Sequence, residues 1–224
     1  MNKSSNGREE LERIYRERFG AFREYRQMVW KTLVDRFFYR YVSPDATVLD
    51  LGCGRGEFIN NIQCKKKYGM DLNPDSRQYL KPDVTFIEQD GSQRWNLDDD
   101  QLDVVFTSNF FEHVPSKQVL SEIIAQARRC LRPGGRLIAI GPNIRFVGNA
   151  YWDFCDHHVP LTDSSMAELL EVQGFRIEQA FDRFLPYTMV RKRPVPSAFI
   201  TLYLSFPVVW KILGKQFLII AKKP

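Results

Sequence analysis

The chain has 224 residues, 44% of them hydrophobic and 26% charged, and a formal net charge of +5. That balance excludes a disordered charged tail and a multi-span membrane protein, and it suits one folded domain with appended segments. The charge is uneven: residues 1–42 carry +4 and residues 185–224 carry +7, which leaves −6 for the segment between. Basic flanks around an acidic centre suit either solvated surface or an anionic partner such as phospholipid, a diphosphate-linked substrate or nucleic acid.

Residues 1–7 read as disordered. From about residue 9 to 41, apolar residues at Leu11, Ile14, Tyr15, Phe19, Phe22, Val29, Leu33 and Phe37 predict one or two amphipathic helices, with Gly20 as a bend. Ser43-Pro44-Asp45 then opens a run of predicted strands at about 47–51, 67–71, 84–88, 103–108 and 136–140. Helical segments alternate with them, the pattern of a parallel, doubly wound sheet. The clearest helix starts at Ser116, turns Val119, Ile123 and Ala127 inward and ends at Pro133-Gly134-Gly135. Ser165 and Glu168 read as a capping box opening a helix that Gly174 closes. Residues 175–181 and 216–222 read as the sixth and seventh strands.

Residues 185–215, between those two strands, are unusually long for a connection. They contain Arg191-Lys192-Arg193 and an uncharged stretch from Pro194 to Trp210, about as long as the shortest membrane spans. Pro207 interrupts that stretch, and a span would leave the seventh strand across the bilayer from its sheet. On a helical wheel Ser197, Thr201, Ser205, Lys211 and Lys215 make one narrow polar stripe. The broad apolar remainder must meet the core, a second subunit in a homodimer, or a membrane surface through residues 191–215.

The most informative stretch is Val48-Leu49-Asp50-Leu51-Gly52-Cys53-Gly54-Arg55-Gly56-Glu57-Phe58. A strand runs into a Gly-x-Gly-x-Gly turn, where the backbone can approach a ligand without a Cβ in the way, and a helical pattern follows. The next strand ends in Asp71, near the spacing at which a carboxylate meets ribose hydroxyls. The ligand is a nucleoside cofactor, but the third glycine comes one residue early for the dinucleotide fingerprint. Glu57 would also repel a pyrophosphate, a repulsion Arg55 offsets only in part. S-adenosylmethionine, with a cationic sulfonium and no phosphate, fits better than NAD.

Residues 47–180 resemble class I S-adenosylmethionine-dependent methyltransferases through five motifs in order. These are 48–56 (VLDLGCGRG), 69–74 (GMDLNP), 89–91 (QDG), 108–115 (SNFFEHVP) and 131–138 (LRPGGRLI). The resemblance implies a Rossmann-like α/β fold with a doubly wound, seven-stranded, mostly parallel sheet, the seventh strand antiparallel beside the sixth. It also implies an N-terminal helical cap over 1–46 and a methyltransferase domain over 47–224, with 185–215 inserted before the last strand. Gly52, Cys53, Gly54 and Gly56 would wrap the methionine and ribose of S-adenosylmethionine, Asp71 would take the ribose hydroxyls, and Leu72 would pack on adenine. Asp90 and Gly91 would meet the adenine edge, and Asn109 and Phe110 would lie near the transferred methyl.

Methyl transfer needs an acceptor held in line and, for a hydroxyl, a proton acceptor. The chain has three histidines. His113 reads as structural, fixing the start of the next helix. His157 and His158 lie past the fifth strand, where loops surround the ligand crevice, and are the candidate general bases, with Asp153 or Asp156 to orient one. The bland reading is that one of them hydrogen-bonds the loop. No family metal motif matches, so no metal is expected.

After the fourth strand, Ser108-Asn109-Phe110-Phe111 lacks the paired prolines of base-modifying amino-methyltransferases, a Pro-Cys nucleophile and paired glutamates, and the basic flanks carry no nucleic-acid recognition motif. What remains is O-methyl transfer (or N-methyl) to a small molecule or glycan. The tail, Leu185 to Met189 and Leu202 to Leu218, resembles those of bacterial surface-polysaccharide methyltransferases, which implies a lipid-linked sugar precursor as acceptor. The alternatives are a soluble natural-product methyltransferase and an inactive cofactor-binding partner subunit. Cysteines at 53, 64, 130 and 155 form no CxxC pair, and the first ten residues lack an apolar signal core. A cytoplasmic protein with free thiols is expected, peripheral at the inner membrane face if the tail binds lipid.

Overall fold

The computed structural model describes residues 23–187 and 195–224. The predicted apolar positions up to Phe22, Gly20 and the run Arg191-Lys192-Arg193 lie outside them. The described residues form a seven-stranded sheet of β1 (Thr47–Leu51), β2 (Lys66–Asp71), β3 (Val84–Glu88), β4 (Leu102–Ser108), β5 (Leu131–Pro142), β6 (Arg176–Leu185) and β7 (Gln216–Lys222). The strand order is β3-β2-β1-β4-β5-β7-β6. The first five strands are parallel, and β7 is antiparallel to both β5 and β6. The order reverses between β1 and β4, and in such sheets ligands bind at the carboxyl ends of the strands beside that switch.

Alternate residues of each strand point to opposite faces, and both faces are covered. One face buries Leu49, Leu51, Met70, Val105, Leu137, Phe217 and Ile219. It packs against α2 (Lys117–Cys130) and α4 (Asp163–Val172). The other buries Val48, Val104, Phe106, Ile138, Ile140, Leu218 and Ile220, which meet Val29, Trp30, Leu33 and Val34 of α1 (Arg23–Arg36).

Three local expectations change. No regular helix follows the glycine motif; residues 54–61 form successive turns. Gly54 and Gly56 have φ of 49° and 68°, which no right-handed helix admits. Asn60 and Asn61 spend their side chains on the carbonyls of Tyr79 and Glu57, competing with a helical ladder. Second, the cap of α4 is Thr162, and Ser165 is its third residue: each hydroxyl accepts the other's amide, at 3.0 and 2.9 Å. The box begins three residues earlier because Asp163 and Ser164 fit a first turn. Third, the insertion makes two helices, α5 (Ser197–Ser205) and α6 (Pro207–Leu213), with Pro207 starting the second; the short α3 (Ile144–Val147) follows β5.

The insertion is half absorbed. Leu204 and Trp210 are buried, and the Trp210 ring stands 5.8, 5.5 and 5.1 Å from those of Phe37, Phe181 and Phe184. Its indole N–H donates to the Tyr203 carbonyl at 2.7 Å, and the Tyr203 hydroxyl donates to the Phe184 carbonyl at 2.6 Å. On the outer side Phe199, Leu202, Phe206, Val208, Ile212 and Leu213 stay exposed. Among the described residues, no helix is long and apolar enough to cross a membrane. Because Trp210 joins the insertion to Phe37, just past α1, and to β6, Trp210→Ala is expected to cost about 3–5 kcal/mol in denaturant unfolding. A loss below about 1 kcal/mol would show that the insertion is not part of the folded core.

Candidate active site

The carboxyl ends of β1, β2 and β4 meet at the glycine turn. The Met70 carbonyl accepts the amides of Gly52 and Cys53 at 2.9 and 3.0 Å, and Gly56 closes a turn on the Cys53 carbonyl at 2.7 Å. Asp71 lies across the turn: one carboxylate oxygen accepts the Gly54 amide at 2.8 Å and the other the Asn73 amide at 2.9 Å. Burial raises the Asp71 pKa, and the amide bonds oppose that rise. Gly52 has φ of 69°, and a Cβ there would sit 2.6 Å from the Phe110 ring; at Gly54 a Cβ would meet no atom within 4 Å. Gly52 is therefore needed for packing, whereas Gly54 faces open space that a ligand can fill. Next to Asp71, Leu72 is 62% exposed, a large apolar side chain left at the rim.

Three carboxyl groups, Asp50, Glu57 and Asp71, surround the glycine turn. Asp50 is buried in β1 and accepts the Ile59 amide at 3.3 Å. Burial pushes its pKa well up, and the charges of Glu57 and Asp71 push the same way. Burial likewise pushes the Cys53 thiol far up, so Cys53 is a packing residue rather than a thiolate. Arg26 of α1 bonds Glu57 at 2.8 Å, while the guanidinium of Arg55 lies 5.2 Å from the Tyr79 ring centre.

After β3, Asp90 closes a turn by accepting the amide and hydroxyl of Ser92 at 2.9 and 2.8 Å. Gly91 lies against Leu51 and Phe110 and accepts the buried Trp95 indole N–H at 2.8 Å. After β4, Asn109 takes φ of 51°, an uncommon conformation for a side chain-bearing residue, and donates its amide to the Ile140 carbonyl at 2.9 Å. That kink sends Phe110 under Gly52.

Glu112, His113 and His157 converge beyond it, and one ligand atom from each lies within 4.8 Å of the others. Glu112 is 2% exposed, its Oε2 has no hydrogen-bond partner, and burial lifts its pKa to about 7. The Glu112 carbonyl accepts the amides of His158 and Val159 at 2.8 and 3.2 Å, fastening the loop after β5 over the end of β4. His157 is 8% exposed, with its ring 4.9 Å from His113, 4.5 Å from Tyr151 and stacked 4.9 Å from Phe154.

The two histidines singled out in sequence are thus separated: His157 lies inside, and His158 is exposed. Asp156 orients His113 rather than either of them, since Nδ1 of His113 sits 3.0 Å from the Asp156 carbonyl and 3.3 Å from its carboxylate. Burial opposes the His113 imidazolium, yet the bond to Asp156 and the charges of Glu112 and Asp156 outweigh it and raise its pKa. The same bond holds Asp156 at about 2. Glu112 was not a candidate site residue in the sequence, where the Glu112-His113 pair reads as structural; an acid flanked by Phe110, Phe111 and Val114 was the available signal.

A sequence profile described as a methyltransferase domain matches residues 22–180. No curated protein matches the chain. Among solved structures, a SAM-dependent methyltransferase from Archaeoglobus fulgidus is 22% identical with a TM-score of 0.64, over 92% of this chain and 99% of that one. One from Methanosarcina mazei is 18% identical with a TM-score of 0.62, over 83% and 96%. One from Mesorhizobium loti is 17% identical with a TM-score of 0.60, over 82% and 94%. At these identities the likeness is one of fold; the profile, spanning α1 to β6, carries the family. The chain belongs to the methyltransferase-domain family and is a class I S-adenosylmethionine-dependent methyltransferase.

Proposed function

We propose that the chain transfers the methyl of S-adenosylmethionine to a hydroxyl of a small molecule or glycan, with a lipid-linked sugar precursor of a bacterial surface polysaccharide as the best-fitting acceptor. The observation that carries the hydroxyl is the Glu112–His113–His157 cluster at the end of β4, with Glu112 and His157 buried and His113 half-buried. A sulfonium methyl is already electrophilic, and a neutral amine attacks it unaided, but a hydroxyl needs help in losing its proton. His157 is the better placed of the two candidate bases because it lies inside that cluster.

In this reading the cofactor lies along the glycine turn. The open face at Gly54 and the turn at Gly52, Cys53 and Gly56 take its methionine and ribose, and Asp71 accepts from the ribose hydroxyls with lone pairs its amide bonds leave over. Adenine covers Leu72 and meets the Asp90–Gly91 turn. The methyl comes to rest beside Asn109 and Phe110. Transfer then forms an O–C bond, breaks the S–C bond and leaves a neutral thioether.

The exposed apolar side of α5 and α6 supports an acceptor presented at a lipid surface, with Lys211 and Lys215 also exposed to meet anionic headgroups.

The two glycines give a test of the cofactor seat. Alanine at Gly54 costs about 1–2 kcal/mol for its left-handed backbone and is expected to weaken S-adenosylmethionine binding at least about tenfold in calorimetric titration. Alanine at Gly52 adds overlap with Phe110 and destabilises by about 1–3 kcal/mol more. Wild-type affinity in Gly54→Ala would place the cofactor elsewhere.

For the acceptor, purified protein is incubated with methyl-labelled S-adenosylmethionine and bacterial extract, with and without vesicles of anionic lipid. Label in lipid-linked or free glycan, with the protein co-floating with vesicles at low salt, is the expected result. Label only in soluble small molecules and no flotation would favour a natural-product methyltransferase whose α5–α6 face serves as lid or dimer contact. Cofactor binding with no label in any fraction would favour an inactive partner subunit.

A further inference from the structure

We propose that Glu112, His113 and His157 form a binding site for one divalent transition-metal ion of the zinc, cobalt or manganese type, which holds the acceptor oxygen. The inference rests on the hydroxyl-acceptor reading above and deepens it.

Three observations carry it. The ligand atoms of the three residues already lie within 4.8 Å of one another. Tetrahedral bonds of about 2.0–2.1 Å place donors roughly 3.4 Å apart, a contraction within reach of side-chain rotation. Second, His113 has the arrangement that prepares an imidazole for coordination: its Nδ1 faces the carbonyl and carboxylate of Asp156 at 3.0 and 3.3 Å. That fixes the proton on Nδ1 and leaves the Nε2 lone pair for an ion, as partners of metal-bound histidines commonly do. Third, Glu112 presents a buried oxygen with no hydrogen-bond partner, and an unsatisfied carboxylate oxygen in the interior is costly unless something positive meets it.

The donor set selects the ion class. Two imidazoles and one carboxylate suit zinc, cobalt, manganese or ferrous iron, whereas magnesium and calcium prefer oxygen alone. Three protein donors leave at least one position open, as in sites that bind a reacting oxygen. The cluster stands at the carboxyl end of β4, three residues beyond Asn109, and Tyr151 and Phe154 wall one side by packing on His157. An acceptor hydroxyl in the open position would release its proton to solvent on coordination and attack the sulfonium methyl as a metal-bound alkoxide. His157 is then a ligand rather than a free base.

The test uses tag-free, full-length protein stripped with chelator. Equilibrium dialysis against Zn²⁺ or Co²⁺ is expected to give one ion per chain, and the Co²⁺ form a visible absorption spectrum of mixed nitrogen and oxygen coordination. Glu112→Gln and His157→Gln should each weaken binding at least tenfold, and Asp156→Asn about tenfold or more through His113. His158→Gln should leave ion affinity unchanged. S-adenosylmethionine binding, measured alongside, reports whether each variant is folded. Less than stoichiometric ion uptake by cofactor-binding wild-type protein, or unchanged affinity in both Glu112→Gln and His157→Gln, would overturn the proposal. Should the hydroxyl reading fail instead, the ion would still bind while label appeared on nitrogen or nowhere.

Discussion

The clasp between the end of β2 and the glycine turn is the constraint on which the rest of the site depends. Two amides of the turn bond the Met70 carbonyl, and the Asp71 carboxylate holds Gly54 on one oxygen and Asn73 on the other. A chain leaving β1 without those bonds could start a helix at once. With them it takes left-handed positions at residues 52, 54 and 56, of which Gly54 faces open space. In the proposed reading the cofactor lies along this turn, with the Asp71 carboxylate beside it and Glu57 held by Arg26.

A second stitching brings the chemistry to the same edge. Asn109 kinks the chain after β4, placing Phe110 beneath Gly52, and the Glu112 carbonyl then captures the loop carrying His157. Residues 112 and 157 thus become neighbours through backbone bonds, and the side chains packed around Glu112 withdraw it from water. The outer helices follow another logic. Trp210 ties α6 to Phe37, Phe181 and Phe184, so the insertion is anchored on one side and apolar on the other.

Much of this was legible in the sequence, for identifiable reasons. The strand bounds of β7 and the places of β1 to β4 follow from short apolar runs between turn residues. Gly52, Gly54 and Asp71 stand out because their spacing encodes a local turn. The missing helper is Glu112, whose burial depends on a loop more than forty residues away that no periodicity announces. Asp156 looked like a partner for the adjacent histidines, but its carboxylate turns toward His113 across the fold. The glycine motif suggested a helix that the left-handed backbone at Gly56 and the asparagine side chains prevent. Likewise, which side of the insertion is covered is decided by α1 and β6, not by the insertion's own pattern.

The most direct measurement is a crystal structure with S-adenosylhomocysteine. The ribose hydroxyls are expected on Asp71, the amino-acid portion along Gly54, and the sulfur beside Asn109, facing Glu112 and His157. A product molecule bound elsewhere, or with its sulfur turned away from that cluster, would contradict that placement.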